Sequence, residues 1–418
     1  MNVIFTGQSG TNKENIIENL VAYIYKKYYP EEGRAGVKTN KFIRPYSLER
    51  YISSSKNGFS SWLQLADGSR QRKGWSEGFE KLCEAINKQN AKNNFISMHS
   101  VFYSRYKYFS PINWDQLRRL KPALFITFID DIYDVWWRLK ERQMVFPPSG
   151  MLRLRDVLTW RSAEIMVTDQ IAKNLFKKVE IPHYVIAVKH PTEMLDKLLT
   201  QPDCMRVYAS YPISRTRDFP EKRAIVDAHR TNLHNKFVVF DPLSIDERLL
   251  YFKYEQWKKC NPQPSTISIL RGDRWPMPSK EFNFPLLAGP NQYPEIIEDI
   301  NPLEIKEVIE AQGGSEVDGQ VVWRDYRLID QTHCLAAFRP SYGGYLSGGV
   351  NAEIAYAGLL GNNCPYQYVP KDDGSVGPFQ VSGIVTDDYD KFIELLESHQ
   401  RQIQVDHERP SHFSSMID

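Results

Sequence analysis

The chain has 418 residues, 42% of them apolar and 25% charged, with a net charge of +2; that is enough chain for two domains with sizeable cores. The near-neutral balance gives no argument for nucleic acid or a membrane surface as partner, and no run of about 18 apolar residues marks a membrane span. The five cysteines (Cys83, Cys204, Cys260, Cys334 and Cys364) are scattered without a Cys-x-x-Cys pair, which argues against a disulfide framework or zinc site and for a reducing, cytoplasmic setting.

Short apolar runs at residues 3–5, 95–98, 124–129 and 184–188 read as buried strands. They alternate with helical patterns at 15–26, 76–87, 132–141 and 159–177. Such alternation predicts an α/β unit around a mostly parallel sheet. A polar segment at 193–203 reads as its last helix and linker, which sets a domain boundary near 195–205: a first domain over 1–200 and a second over 205–418. A second alternation follows, with strands at 206–208, 236–240 and 334–338 and helices at 221–232 and 350–360. Residues 262–302 are dense in proline and too long for an ordinary connection, so they read as an insertion, either a lid or a strap. The expected fold is therefore two doubly wound parallel-sheet domains.

Gly7-Gln8-Ser9-Gly10-Thr11-Asn12-Lys13 follows a predicted strand and opens a helix. In a phosphate-binding loop of the form Gly-x4-Gly-Lys-Ser/Thr, backbone amides cradle phosphates, the lysine reaches the terminal phosphates and the hydroxyl holds Mg²⁺. Gly7, Gly10 and Lys13 suit that role. Asn12 replaces the second glycine, a change that asparagine's tolerance of left-handed backbone accommodates. Glu14 stands in place of the hydroxyl residue, and a carboxylate beside phosphates repels them unless a metal intervenes. With the strand ending at Asp130 and Asp131, the domain resembles the P-loop nucleoside and adenylate kinases. His99 takes the place where those enzymes usually carry an acid. The resemblance implies a nucleotide site that takes ATP and Mg²⁺, or a scaffold that has lost turnover. Asp130 and Asp131 read equally as a strand-end turn and helix cap.

Near the C-terminal end, Ser347-Gly348-Gly349-Val350 leads into an apolar helical pattern that carries Glu353. Glycines at a helix entrance let N–H groups approach an anion, and the helix N-terminus favours negative charge. Upstream lie Arg324, Asp325 and Asp330, and the first strand of the second half carries Tyr208 and Ser210. Small and hydroxyl residues at the carboxyl end of a first strand suit an α/β ligand crevice. Each has an ordinary alternative: Glu353 as a charge in a helix's first turn, Arg324 and Asp325 as a solvated pair, Ser210 as a turn residue.

In this order, with Ser347-x-Gly349-Val350-x-x-Glu353-x-x-Tyr356-Ala357 as the best-matching motif, residues 205–365 resemble the nucleoside 2-deoxyribosyltransferases and 2′-deoxynucleoside 5′-monophosphate N-glycosidases. The resemblance implies a Rossmann-like domain in which Glu353 attacks C1′. Asp330 would assist departure of the base or orient the sugar, and Tyr208 would orient the nucleophile. Ser347 and Gly349 would hold a 5′-phosphate, while Ser210, Asp325 and Arg324 would line the ribose and base. It also implies a homo-oligomer, a nucleotide as the small-molecule partner, and no metal or cofactor for the cleavage. Glycoside cleavage through a carboxylate proceeds by a covalent sugar–enzyme intermediate, which water or a second base completes. Hydrolase and transferase both fit, as do a fused nucleotide kinase and a nucleotide-sensing or NAD-cleaving defence effector.

Overall fold

The computed structural model describes residues 1–30, 42–52, 58–63, 65, 67–89, 91–104, 107–141, 152–214, 216–217, 219–275, 287, 293–310, 316–340, 347–361, 364–371 and 383–406. They divide into two compact units, the first made of Met1–Lys189, Glu247–Arg271 and Leu287–Gly313, the second of His190–Asp246, Gly272–Leu286 and Gly314–Asp418. The chain thus passes between units several times, where a single boundary near 195–205 was expected. The segment read as the first domain's last helix belongs to the second unit.

In chain order, Met1–Lys189 carries β1 (Asn2–Thr6), α1 (Lys13–Tyr28), β2 (Ile43–Ser47), α2 (Gly58–Leu63), α3 (Gly68–Gln89), β3 (Asn93–Ser97), β4 (Phe102–Ser104), β5 (Lys107–Phe109), α4 (Trp114–Leu120), β6 (Pro122–Ile129), α5 (Ile132–Glu141), α6 (Leu154–Asn174) and β7 (His183–Ala187). The second unit then begins with α7 (Thr192–Thr200), β8 (Arg206–Ser210), α8 (Pro220–Lys236) and β9 (Val238–Phe240). α9 (Arg248–Lys259), β10 (Ile267–Leu270), β11 (Ile296–Ile300) and α10 (Pro302–Ile309) return to the first unit. α11 (Glu316–Asp330), β12 (Cys334–Phe338), α12 (Gly348–Leu359), β13 (Cys364–Tyr368), β14 (Ile384–Thr386) and α13 (Tyr389–Asp406) complete the second.

The first unit's main sheet has the order β2-β3-β1-β6-β7, all parallel. Its central strands are continuous apolar runs, as a sheet covered by helices on both faces requires: Val3, Ile4 and Phe5 in β1 and Phe125 to Ile129 in β6 are almost fully buried. One core cluster packs Ile4, Ile96 and Phe125 against Trp62, Trp75 and Phe79. The stretch read as an insertion supplies β10 and β11, which pair antiparallel; residues 276–286 and 288–292 within it lie outside the described residues.

The second unit's sheet has the order β14-β13-β12-β8-β9, also parallel throughout. Counted within the unit this is the doubly wound order 2-1-3-4-5, whose connections reverse direction between its first and third strands, β8 and β12. Ligands bind outside the carboxyl ends of the strands at such a point. Register pairs Tyr208 with Leu335 and Ser210 with Ala337, so Phe338 and Arg339 lie just past the end of β8. No helix among the described residues is long and apolar enough to cross a membrane.

Candidate functional site

Alternation along β8 puts Tyr208 and Ser210 on one face. Both hydroxyls reach the same side chain: Tyr208 Oη donates to Glu353 Oε1 at 2.8 Å and Ser210 Oγ donates to Oε2 at 2.5 Å. Tyr208 is fully buried. Burial is the largest influence on the Glu353 carboxyl and raises it above the ordinary range; the Asp325 carboxylate adds to the rise, while Ser210, Tyr208 and Arg324 pull against it. The same burial, with Asp325 and Glu353 adding, pushes the Tyr208 hydroxyl well up, so it stays a donor.

The neighbouring carboxylate is Asp325 and not Asp330. Both sit on α11, five residues apart, which turns them by about 140° around the helix axis. Asp330 is exposed at the helix end, where Tyr356 Oη donates to it at 2.8 Å. The Tyr356 ring stacks on Tyr326 with centroids 3.9 Å apart. Asp330 is thus held through Tyr356, three residues along α12 from Glu353. Arg324 is buried and committed, donating to Asp325 Oδ1 at 2.8 Å and to the Ile245 carbonyl at 3.2 Å. The Arg324–Asp325 pair is thus largely buried, where the sequence left open a solvated pair.

Ser347 is the N-cap of α12, yet its side chain makes no cap bond. A Cβ at Gly348 would meet nothing within 4 Å, and one at Gly349 only Ser347 Oγ at 3.9 Å. Packing among the described residues does not require these glycines, which cost a helix about 1 kcal/mol each relative to alanine. A shallow pocket beside them is lined by Pro212, Phe338, Arg339, Pro340, Ser347, Val350 and Asn351. Arg339 was missed from sequence; its only signal is a cation directly after the apolar strand 334–338.

In the first unit, the loop after β1 has left-handed or otherwise positive φ at Gly7 (142°), Gly10 (88°) and Asn12 (59°). A Cβ at Gly7 would lie 2.7 Å from the Phe128 carbonyl oxygen, so only glycine fits. Lys13 opens α1 and its ammonium donates to His99 Nε2 at 2.7 Å. Accepting that bond requires a neutral imidazole, and burial, reinforced by the Lys13 charge, holds His99 well below its usual range. Glu164, also unremarked in the sequence, accepts the amides of Gly7 at 3.0 Å, Ser100 at 2.8 Å and Val101 at 2.6 Å. Burial pushes its carboxyl up to about 7 despite those amides.

Glu14 is drawn aside, accepting from Ser47 Oγ at 2.6 Å and Arg50 Nη2 at 2.8 Å. Asp130, Asp131 and Asp134 are close enough together to hold a cation, although no metal ligands were expected. The Lys189 ammonium already sits among them, bonded to Asp131 and lying 3.1 Å from Asp134 and 3.7 Å from Asp130. Arg138 pairs with Asp130.

Compared with known proteins, the chain matches no family model and no curated sequence.

Proposed function

We propose that the protein cleaves or exchanges the N-glycosidic bond of a (deoxy)nucleotide, with Glu353 as the attacking carboxylate. The observation that carries this reading is the pair of hydroxyls, Tyr208 and Ser210, one on each oxygen of Glu353 at the reversal point of a parallel sheet. Two fixed donors orient a carboxylate for attack at one carbon, as positioned groups do in nucleophilic catalysis. In the proposed step a Glu353 oxygen bonds to C1′ as the C1′–N bond breaks. The electron pair leaves with the base, which takes a proton from solvent. Water, or the nitrogen of a second base, then attacks C1′ and releases the carboxylate. Asp325 stabilises positive charge developing on the sugar and keeps Glu353 from resting as a fully satisfied anion.

The test is release of free base from a panel of deoxynucleotides and NAD. Wild type should release base from at least one member, and Glu353→Gln should lower that rate about a thousandfold or more. A panel without turnover, or an equally active variant, would sink the reading.

A second reading concerns the first unit: its loop binds a nucleotide without transferring a phosphoryl group. It is supported by Glu14, which replaces the Mg²⁺-binding hydroxyl and is tied to Arg50, and by the three carboxylates with which Lys189 and Arg138 already pair. Mg²⁺-dependent ADP release from ATP that is lost in Lys13→Ala would contradict it, in favour of a kinase fused to the glycosidic-bond unit.

A further inference from the structure

Two side chains of α11 and one of α12 meet at a single point. Tyr326 and Asp330 are four residues apart, so they share one face of α11. Tyr356 of α12 reaches both: its ring lies on Tyr326 with centroids 3.9 Å apart and planes 2° from parallel, and its Oη donates to Asp330 Oδ1 at 2.8 Å. Burial, with the Asp330 bond adding, pushes the Tyr356 hydroxyl up to about 12, so it stays a donor. α12 packs into the core through Val350, Ile354 and Ala357; Tyr356 is partly buried and turns to α11 instead. The same two helices carry the two acids of the site. Glu353 stands three residues before Tyr356, a neighbour on the α12 surface, and Asp325 directly precedes Tyr326. Glu353 is tied to Tyr208 and Ser210 of β8, and Asp325 to Arg324, which also reaches the Ile245 carbonyl. None of these bonds joins α11 to α12. Like charges repel, and the repulsion falls with distance, so helices free to part would carry the two carboxylates away from each other.

We propose that Tyr356 is a positioning residue for this carboxylate pair: by gripping Tyr326 and Asp330 it fixes the spacing of α11 and α12, and with it the distance at which Asp325 acts on Glu353. The tyrosine supplies a contact between the helices that opposes the repulsion. The groups facing Glu353 are Tyr208 and Ser210 from β8 and Asp325 and Arg324 from α11; those facing Tyr356 are Asp330, Tyr326 and Arg327. After burial, Asp325 is the influence that raises the Glu353 carboxyl, so the grip keeps the carboxylate from resting as a stable anion. Asp330 enters as the anchor of Tyr356. The consequence for turnover rests on the glycosidic-bond reading; the consequence for the Glu353 carboxyl does not.

The experiment follows the Glu353 carboxyl of the full chain by NMR with isotope-labelled glutamate, its signal assigned by its loss in Glu353→Gln, and pairs each titration with base-release kinetics. Tyr356→Ala should lower the titration by about one pH unit, and lower kcat about tenfold with KM little changed. With Asp325→Asn already in place, the same substitution should move the titration far less, because the charge whose distance it sets is gone. Tyr356→Phe keeps the stack and loses the bond, so it should fall between wild type and Tyr356→Ala. Tyr326→Leu removes the stack from the other helix; it should shift the titration in the same direction and serves if Tyr356→Ala fails to fold. A titration unmoved by Tyr356→Ala and Tyr326→Leu overturns the proposal. So does an equal fall with Asp325 and with Asp325→Asn, which is what entry of water beside Glu353 would give on its own. Base release that needs Glu353, with no such shift in the variants, would overturn it and leave the glycosidic-bond reading intact. The expected shifts in a protein that releases no base would keep the carboxylate spacing and remove that reading.

Discussion

Glu353 is held by two hydroxyls and raised by burial and Asp325, and each influence can be removed by one atom or one charge. Tyr208→Phe leaves Oε1 without its donor; with ~1.5–3 kcal/mol for a hydrogen bond to a charged group, turnover should fall about tenfold to a hundredfold with the fold retained. An unchanged kcat would show that the hydroxyl does not position the carboxylate. Asp325→Asn removes the like charge, so Glu353 should titrate at lower pH, seen as an earlier carboxyl shift by NMR and an acid limb of the rate profile displaced downward. A Glu353 titration that stays put or moves up would contradict the assigned cause. Glu353, Tyr208 and Ser210 were legible as a group because each sits on a recognisable element, a first strand or a helix entered through glycines, although Glu353 lies in the second turn of α12 and not in its first. Asp325 and Asp330 were not separable without the α11 axis, and Arg339 had no motif around it.

The β1–α1 loop shows how much one element's backbone demands. Gly7→Ala would force a methyl group against the Phe128 carbonyl, a backbone atom that cannot turn away, at a φ that side chains rarely adopt. The cost should be about 1–3 kcal/mol or more, read as a lower denaturation midpoint. Asn12→Gly, at φ 59°, should be close to neutral. Equal effects of the two substitutions would sink this account of the loop. Central strands such as β6 and β12 were legible because continuous apolar runs leave one interpretation. β2 lies at a sheet edge and carries Pro45 and Arg44, and β13 carries Pro365 and Gln367, so neither shows the run. Proline is admitted on an edge strand, where an N–H can be spared.

At the scale of the whole molecule, both units bury histidines in their neutral form. Burial, opposed by Asp241 and aided by Arg230, lowers His229 to about 3. The unfolded chain binds that proton below about pH 6.5 and the folded one does not until far lower, so stability from this group is present above pH 6.5 and lost as pH falls toward 3, at most about 1.4 kcal/mol per pH unit. Glu164 acts with the opposite sign, its raised carboxyl favouring the folded state at low pH and losing that contribution as pH rises toward 7. The clean observable is therefore a difference: between pH 6.5 and 4, His229→Gln should show a stability slope shallower by one proton than wild type. Parallel slopes would contradict the neutral burial of His229. The division into units shows what sequence order hides. Segments 247–271 and 287–313 are read along the chain as part of the second half, yet they pack with the first, because packing follows apolar faces and not chain position.

The central claim is that Glu353 forms a bond to the sugar. Rapid acid quench of wild type during turnover of a deoxynucleoside 5′-monophosphate, followed by peptide mass mapping, should find a deoxyribose phosphate ester on the peptide containing Glu353 and none in Glu353→Gln. Base release at full rate with no adduct in wild type, or with the adduct on another residue, would contradict it.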